Sequence, residues 1–192
     1  MGFVFRKLEL DGLLVIEPDK RADSRGFSSV TYARDAFLRH GVAIDWVQDN
    51  HSYSAAAGVL RGLHFQRPPF AQDKLVRVVA GAVLDVAVDI RRGSPTFGRW
   101  ASLVLSAAKW NQLLVPRGFA HGFRVLEPAT HVLYKVSQFY SPAHDAAIRY
   151  DDPAIGVDWQ LGADRPLLSD RDAAAPLLAD TDTGFVHGEA AP

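Results

Sequence analysis

The stretch G-V-L-R-G-L-H-F-Q, residues 58–66, has the apolar content of a buried β-strand, yet it carries a cation and an imidazole. Successive side chains of a regular strand point to opposite faces, so Arg61 and His64, three positions apart, would face opposite ways. Gly62 lies between them, and a β-bulge at a glycine shifts this alternation by one residue. The sequence therefore predicts a bulge at Gly62 that turns both side chains inward. The alternative is a regular strand with Arg61 in solvent.

Short runs of β-type residues, separated by turn residues, make up most of the remaining chain. Helical patterns cover only residues 33–39 and 170–178, the second with Ser169 as N-cap. Many closely spaced strands with few helices favour a sandwich or a barrel over βαβ units. The runs at 74–79 and 82–90 flank a glycine and predict a hairpin. The predicted strands are 13–17, 42–47, 74–79, 82–90, 100–106, 112–116, 121–126 and 131–140.

The length of 192 residues is enough for one domain with a sizeable core. No change in composition marks a second domain, so we expect a single domain over residues 1–192, frayed from about residue 180. A formal net charge of -1 argues against a nucleic-acid partner. The sequence has no cysteine, no secretion signal and no membrane-spanning apolar run, so we expect a cytoplasmic protein without a membrane partner.

A second motif, V-P-R-G-F-A-H-G-F at residues 115–123, places His121 just past a tight turn at the start of a strand. Its spacing P-x-G-x-x-H resembles the second motif of the cupin jelly roll. Gly58 and His64 match the first cupin motif, but Gln66 stands where that motif has its second histidine. A cupin metal site needs several imidazoles and usually a carboxylate. We therefore expect an all-β, cupin-like jelly-roll barrel with a few short peripheral helices and no metal.

Two further residues have both a functional and a structural interpretation. Lys74 shares a strand face with Val76 and Val78, where a lysine needs an anion or an oxyanion as partner. The alternative is an edge lysine in water. Tyr134 could donate a proton if its phenol faces a cavity, whereas most tyrosines pack in the core with the hydroxyl at the surface.

A set of short blocks runs from the N-terminal third almost to the C-terminus: R-G-F (25–27), Q-D-N-H-S (48–52), V-L-R-G-L-H-F-Q (59–66), A-Q-D-K-L-V-R-V (71–78), D-V-A-V-D-I-R (85–91), S-P-T-F-G (94–98), P-R-G-F-A-H-G-F (116–123), Y-K (134–135), Y-S-P (140–142), D-D-P-A-I-G (151–156) and L-S-D-R-D (168–172). Together these blocks resemble the dTDP-4-dehydrorhamnose 3,5-epimerase family. The resemblance implies a metal-free, cofactor-free jelly roll that acts as a homodimer on a thymidine-diphosphate 4-keto-6-deoxyhexose. It implies inversion of C3 and C5 in dTDP-L-rhamnose biosynthesis.

The chemistry of such a substrate explains the residue types. A ketone at C4 acidifies the protons on C3 and C5, so the enzyme needs a base, an acid on the opposite face and a cation for the enolate. By the resemblance, His64 is the base, Tyr134 the proton donor and Lys74 the residue near O4. Asp172 would hold the second nitrogen of His64. Asp170 is the rival for that role, although the position within the motif favours Asp172.

The resemblance also implies a set of substrate-binding residues. These are Arg25 and Arg61 for the pyrophosphate, Phe27 and Tyr140 as walls for the thymine ring, Gln48 and Asn50 on the nucleotide side, His121 on the sugar side with support from Asp85, and Asp145 and Arg171 at the rim.

Four positions depart from the usual pattern of the family. Arg21 replaces an aromatic residue, Val30 replaces a glutamate, Asp145 replaces a longer glutamate, and Arg171 replaces a lysine. The departures lie at nucleotide and rim positions. They leave open an epimerase that inverts one carbon of a related nucleotide keto-sugar. Alternatives from other classes are a non-catalytic sugar-binding cupin and a metal-dependent cupin oxygenase.

Overall fold

The computed structural model describes residues 2–189. Its strands, in chain order, are β1 (Phe3–Lys7), β2 (Leu14–Pro18), β3 (Arg21–Asp23), β4 (Gly26–Ser28), β5 (Gln48–Ser54), β6 (Leu60–Gln66), β7 (Lys74–Ala80), β8 (Ala82–Asp89), β9 (Trp100–Ser106), β10 (Gln112–Val115), β11 (Phe119–Val125), β12 (Thr130–Val136) and β13 (Asp145–Ala147). The helical elements of this part of the chain are α1 (Arg34–Arg39), α2 (Asp170–Ala173) and a 3₁₀ turn at Leu178–Asp180.

Two antiparallel sheets form the body of the molecule. The six-stranded sheet has the order β1-β2-β10-β7-β12-β5, and the five-stranded sheet has the order β13-β6-β11-β8-β9. Neighbours in each sheet are mostly far apart in sequence, as in a jelly roll. The predicted all-β, cupin-like jelly roll is confirmed. Strands β3 and β4 pair only with each other and form a separate, exposed hairpin.

Apolar side chains from both sheets fill the space between them. Val76 and Val78 of β7 belong to one buried cluster with Ala87 of β8 and Phe123 of β11. Lys74 begins β7 on the same face, as the alternation predicted, and lines a cavity. The apolar core therefore gives way to a polar cavity at the Lys74 end of the strand.

The predicted hairpin of 74–79 and 82–90 is wrong. Strand β7 lies in the six-stranded sheet and β8 in the five-stranded sheet, so the chain turns a corner between the sheets at Gly81. Gly81 has a φ of 75°, and a Cβ there would lie 2.1 Å from the hydroxyl of Thr130. A glycine turn between two strand runs has the same local pattern in both arrangements, and only long-range pairing separates them.

Two other predicted elements differ in the structure. Residues 42–47 form no strand; Val42, Ile44 and Trp46 pack with α1 against the outer face of the six-stranded sheet. The alternation of apolar residues there reflects packing on a sheet and not pairing within it. The predicted helix over 170–178 ends at Ala173, since Pro176 disfavours helical geometry at the residue before it.

The C-terminal segment is docked as far as it is described, whereas the sequence predicts fraying from about residue 180. The hydroxyl of Thr183 donates to the backbone oxygen of Ile90 at 2.9 Å, and Phe185 is buried against the outer face of the five-stranded sheet. Arg92 forms a β-bridge with Val186. Burial of Phe185 is the physical reason for this order; residues 190–192 lie outside the described part. No helix among residues 2–189 is long and apolar enough to cross a membrane.

Candidate active site

The predicted bulge in β6 is confirmed. His64 pairs with His121 of β11, and Arg61 pairs with Phe123, so β6 carries one more residue than β11 between these pairs. Gly62 has a φ of 125°, and a Cβ there would lie 2.5 Å from the Cα of Gly122. Two glycines therefore let the strands approach closely at the bulge. The extra residue turns Arg61 and His64 toward the same cavity, as predicted, but Arg61 is exposed rather than buried in the interior.

The cavity lies between the two sheets and has two lobes that share His64, Lys74, Tyr134 and Arg171. The dyad lobe, of about 290 Å³, is further lined by Ser52, Arg61, His121, Gly122, Phe123, Ser169 and Asp172. The tyrosine lobe, of about 190 Å³, is further lined by Gln48, Asn50, Phe65, Gln66, Gln72, Tyr140 and Asp145. All predicted site residues except Arg25 and Phe27 line one or both lobes.

A histidine–aspartate dyad joins strand β6 to helix α2. His64 Nε2 lies 2.5 Å from Asp172 Oδ1; the aspartate side chain is 4% exposed and the imidazole 29% exposed. Ser169 caps α2 by accepting from the backbone N–H of Asp172, as predicted. Asp170, the rival carboxylate, is exposed. The buried carboxylate thus orients an imidazole that faces the cavity.

The environment of Asp172 favours its ionised form. Burial by itself would raise its pKa, but the hydrogen bond and positive charge of His64 outweigh burial, and the pKa lies below its usual value. The nearby hydroxyl of Ser169 and the backbone N–H of Gly62 lower the pKa further. An ionised Asp172 can stabilise an imidazolium at His64.

Lys74 is the buried cation of the cavity. Its Nζ donates to the backbone oxygen of His64 at 3.4 Å. Burial lowers the pKa of Lys74 to about 8, although the negative charges of Asp145 and Asp85 oppose the shift. A desolvated ammonium with a lowered pKa is still mostly charged at neutral pH, and it can stabilise an oxyanion strongly.

Tyr134 lies on β12, across the cavity from the dyad, because β12 and β6 belong to different sheets. Burial raises the pKa of its phenol, the carboxylate of Asp145 raises it further, and Arg61 partly offsets both. The hydroxyl is therefore protonated at neutral pH. It is a hydrogen-bond and proton donor on the side of the cavity opposite His64.

A second histidine–carboxylate pair lies deeper in the dyad lobe. His121 Nε2 lies 2.9 Å from Asp85 Oδ1, and both side chains are buried. The other carboxylate oxygen of Asp85 has no hydrogen-bond partner among the described residues. The predicted support of His121 by Asp85 is present.

The tyrosine lobe holds a polar network around Tyr140. Its hydroxyl donates to Asp145 Oδ2 at 3.0 Å, and Arg171 approaches the same oxygen at 2.8 Å. Gln48 accepts from the backbone N–H of Tyr140 at 3.3 Å and donates to Asn50 at 2.8 Å. The lobe thus combines an aromatic ring, a guanidinium and amides, which are groups that can bind a nucleobase and a phosphate.

Arg25 and Phe27 lie on the β3–β4 hairpin and line neither lobe. Arg25 is exposed and pairs with Asp23 at 2.7 Å. The ring of Phe27 is half exposed and lies 4.9 Å from that of Trp110. Within one chain these two predicted residues are not part of the cavity.

The cavity also contains residues that sequence reasoning did not assign to the site. Ser52 lies two residues after Asn50 on β5, so strand alternation alone would have placed it on the inner face. Gln72 precedes β7 and offers no such signal. Among residues 2–189, no three side chains of His, Asp or Glu converge in a way that could hold a metal ion.

Comparisons with known proteins place the chain in one family. Residues 7–180 match the family model described as dTDP-4-dehydrorhamnose 3,5-epimerase. An enzyme of that name from Sinorhizobium fredii is 45% identical over 183 residues, which cover 95% of this chain and 93% of the relative. The crystal structure of an epimerase from Legionella pneumophila in complex with dTDP-4-keto-L-rhamnose is 42% identical, has a TM-score of 0.92 and covers 98% of this chain and 100% of its own. A 3'-monoepimerase from Streptomyces bikiniensis, in complex with dTDP-quinovose, is 36% identical with a TM-score of 0.83 over 90% of this chain and 86% of its own.

Proposed function

The chain belongs to the dTDP-4-dehydrorhamnose 3,5-epimerase family. We therefore propose a catalytic or substrate-binding role for each of the residues that line its cavity. The protein is an isomerase that inverts C3 and C5 of dTDP-4-dehydro-6-deoxy-D-glucose and yields dTDP-4-dehydro-L-rhamnose for dTDP-L-rhamnose biosynthesis. Each inversion removes a proton from one face of a carbon next to the ketone and returns one to the other face. No electrons leave the substrate, so the reaction as written uses no redox cofactor.

His64 is the general base in this proposal, and the His64–Asp172 dyad is the single observation that carries it. The imidazole takes the proton from C3 or C5 and becomes an imidazolium, whose charge the ionised Asp172 balances. The role of the carboxylate is also to keep the ring in one orientation. His121, held by Asp85, contacts the sugar in the same lobe.

Lys74 and Tyr134 complete the proton chemistry. Removal of the proton places negative charge on the C4 oxygen, and the buried ammonium of Lys74 stabilises that enolate. Tyr134 then donates its phenolic proton to the opposite face of the carbon. Solvent afterwards returns a proton to Tyr134 and takes one from the imidazolium of His64. The location of Tyr134 and His64 on different sheets supports this assignment, since inversion needs donor and acceptor on two sides.

The substrate's nucleotide occupies the tyrosine lobe in this proposal. Arg61 and Arg171 bind the diphosphate, a use that suits planar guanidinium groups. The exposed ring of Tyr140 stacks on thymine, while Gln48 and Asn50 contact the nucleotide side. Asp145 orients Tyr140 and Arg171 through one shared oxygen.

We also propose that the protein acts as a homodimer in which each hairpin completes the other subunit's cavity. The partner subunit's Arg25 and the partner subunit's Phe27 would then reach the nucleotide, as the resemblance implies. Two features support this: β5 is an unpaired edge of the six-stranded sheet, and Tyr53 on that edge is 53% exposed.

We further propose a single domain over residues 1–192 and a cytoplasmic location. The family match over 7–180 supports the first, and the absence of cysteine supports the second.

Incubation with dTDP-4-keto-6-deoxyglucose in deuterated water, followed by NMR, tests the activity. We expect deuterium at both C3 and C5 and the appearance of the L-rhamno product. His64→Ala should abolish the labelling while dTDP still binds, because the arginines that hold the diphosphate remain. Deuterium at one carbon only would identify a monoepimerase, and labelling unchanged in His64→Ala would remove His64 from the mechanism.

A further inference from the structure

Gln66 ends β6 and lies buried, 3% exposed, beneath the segment that carries Tyr140. Its amide nitrogen donates to the backbone oxygens of Phe70 at 2.7 Å and Phe139 at 3.1 Å. Its amide oxygen accepts from the backbone N–H of Ser141 at 2.7 Å. Two carbonyl groups on one side and one N–H on the other fix which way the amide points. All three hydrogen bonds therefore go to backbone and none to a group of the cavity.

Two of these bonds flank a single residue, Tyr140. Tyr140 is 56% exposed and forms no aromatic pair among the described residues, so apart from the hydrogen bond of its hydroxyl to Asp145 the ring has little to hold it in place. Its backbone is held instead by Gln66 at the residue before and the residue after, and by Gln48 at its own N–H. An exposed ring on a restrained backbone loses less conformational freedom when a ligand stacks on it.

We propose that Gln66 is a positioning residue for nucleotide recognition, acting through the backbone of residues 139–141 on the ring of Tyr140. This inference rests on the proposed function, in which Tyr140 stacks on the thymine of the substrate. Gln66 touches no reacting group, and the proton chemistry belongs to residues around the dyad lobe. Loss of its hydrogen bonds therefore weakens nucleotide binding and raises KM, while kcat stays nearly constant.

Two variants test the inference, Gln66→Met and Gln66→Glu. Methionine has a side chain of similar length and removes all three hydrogen bonds. The glutamate keeps the acceptor for Ser141 but, when ionised, turns an oxygen toward the carbonyl groups of Phe70 and Phe139. We expect the Kd for dTDP, measured by calorimetry, to rise about tenfold or more in both variants. We expect kcat to stay within about twofold of the wild-type value. If Gln66→Met does not fold, Gln66→Glu carries the test.

A double variant separates positioning from other effects. In a Tyr140→Ala background, Gln66→Met should change the dTDP affinity by less than about twofold, because the ring that it positions is gone.

The outcomes distinguish this inference from the function on which it rests. Wild-type protein that neither binds dTDP nor labels the sugar would overturn both. Wild-type binding and turnover, with Kd values of both Gln66 variants within about twofold of wild type, would overturn the inference alone. A full additional loss in the Tyr140→Ala background, or a fall in kcat as large as the rise in KM, would also overturn it.

Discussion

Single residues in the cavity owe their chemistry to burial and to one or two neighbours. Lys74 illustrates this, because burial moves its pKa from 10.5 to about 8 while Asp145 and Asp85 limit the shift. Burial has the opposite effect on Tyr134, whose pKa rises because the charged form of a phenol is an anion. The same burial therefore brings the lysine closer to neutrality and keeps the tyrosine protonated.

The lowered pKa of Lys74 predicts an alkaline limit to activity. Deprotonation removes the cation that stabilises the enolate, so kcat/KM should fall as the pH rises through about 8, by up to tenfold per pH unit. In Lys74→Arg the guanidinium stays charged over this range, so the fall near pH 8 should disappear even if the activity at neutral pH is lower. Measurement of kcat/KM from about pH 6.5 to about pH 9.5 tests this.

Lys135→Arg is the matched control for this experiment. Lys135 is the residue after Tyr134 on β12 and pairs outside the two lobes with Asp49 at 2.9 Å, so its replacement should leave the pH profile unchanged. If kcat/KM still fell near pH 8 in Lys74→Arg, the group that titrates there would be a residue other than Lys74.

At the scale of elements, the bulge in β6 determines the active site. It turns Arg61 and His64 to the same side, and the backbone N–H of Gly62 helps to lower the pKa of Asp172. Its geometry depends on the close approach to Gly122, where either glycine would place a Cβ within 2.8 Å of a backbone atom of the other strand. A short run of backbone thus positions Arg61 and His64, the proposed diphosphate ligand and the proposed base, next to Asp172.

Gly62→Ala should therefore remove activity and destabilise the protein. The new Cβ would meet the backbone of Gly122 at 2.5 Å and would also need a φ of 125°, so we expect a cost of about 2–4 kcal/mol in the free energy of unfolding. Turnover should fall by more than about a hundredfold, because a 1 Å misplacement of the base has effects of that size. Denaturant titration and turnover measurements check the two parts.

Gly58→Ala is the control for Gly62→Ala, since Gly58 lies just before β6 begins. Gly58 also has a positive φ, of 82°, but a Cβ there meets no atom within 4 Å, so only backbone strain of about 1–2 kcal/mol remains. Activity of Gly62→Ala within a few-fold of Gly58→Ala would refute the role of close strand approach.

At the scale of the whole molecule, the cavity of one chain lacks two of its predicted ligand-binding residues. Arg25 and Phe27 lie on a hairpin that pairs with neither large sheet, and the ring of Phe27 is 51% exposed. In the proposed dimer, the hairpin of each subunit lies against the cavity of the other and supplies the two residues that this cavity lacks.

Subunit complementation tests this arrangement. His64→Ala and the double variant Arg25→Ala/Phe27→Ala should each have little activity, but mixed dimers should regain one intact cavity of two. Random mixing makes half of the dimers mixed, so we expect about a quarter of the wild-type activity after coexpression.

The control pairs His64→Ala with Asp172→Ala. Both residues belong to the same cavity of one chain, and therefore no mixed dimer has an intact site. No recovery in the first mixture, or equal recovery in both, would contradict the exchange of hairpins between subunits.

Local patterns in the sequence determined much of this protein. The three-residue spacing of Arg61 and His64 around Gly62 predicted the bulge, and alternation along β7 predicted the inward direction of Lys74. The strand runs and motifs predicted the jelly roll. The His64–Asp172 dyad was predicted only by the resemblance to the epimerase family, since the two residues are 108 positions apart. The bulge and the direction of Lys74 follow from backbone geometry over a few residues, which is why they can be read without coordinates.

Only the tertiary structure decided which distant segments meet. It assigned β7 and β8 to different sheets, docked Phe185 on the barrel and left Arg25 on an exposed hairpin. It also showed that the amide of Gln66 forms hydrogen bonds to the backbone on both sides of Tyr140. One of these bonds goes to Phe139, which lies 73 positions from Gln66 in the sequence. Strand partners and buried hydrogen bonds depend on contacts between residues far apart in sequence, and no local period or turn residue encodes which partner a segment will find.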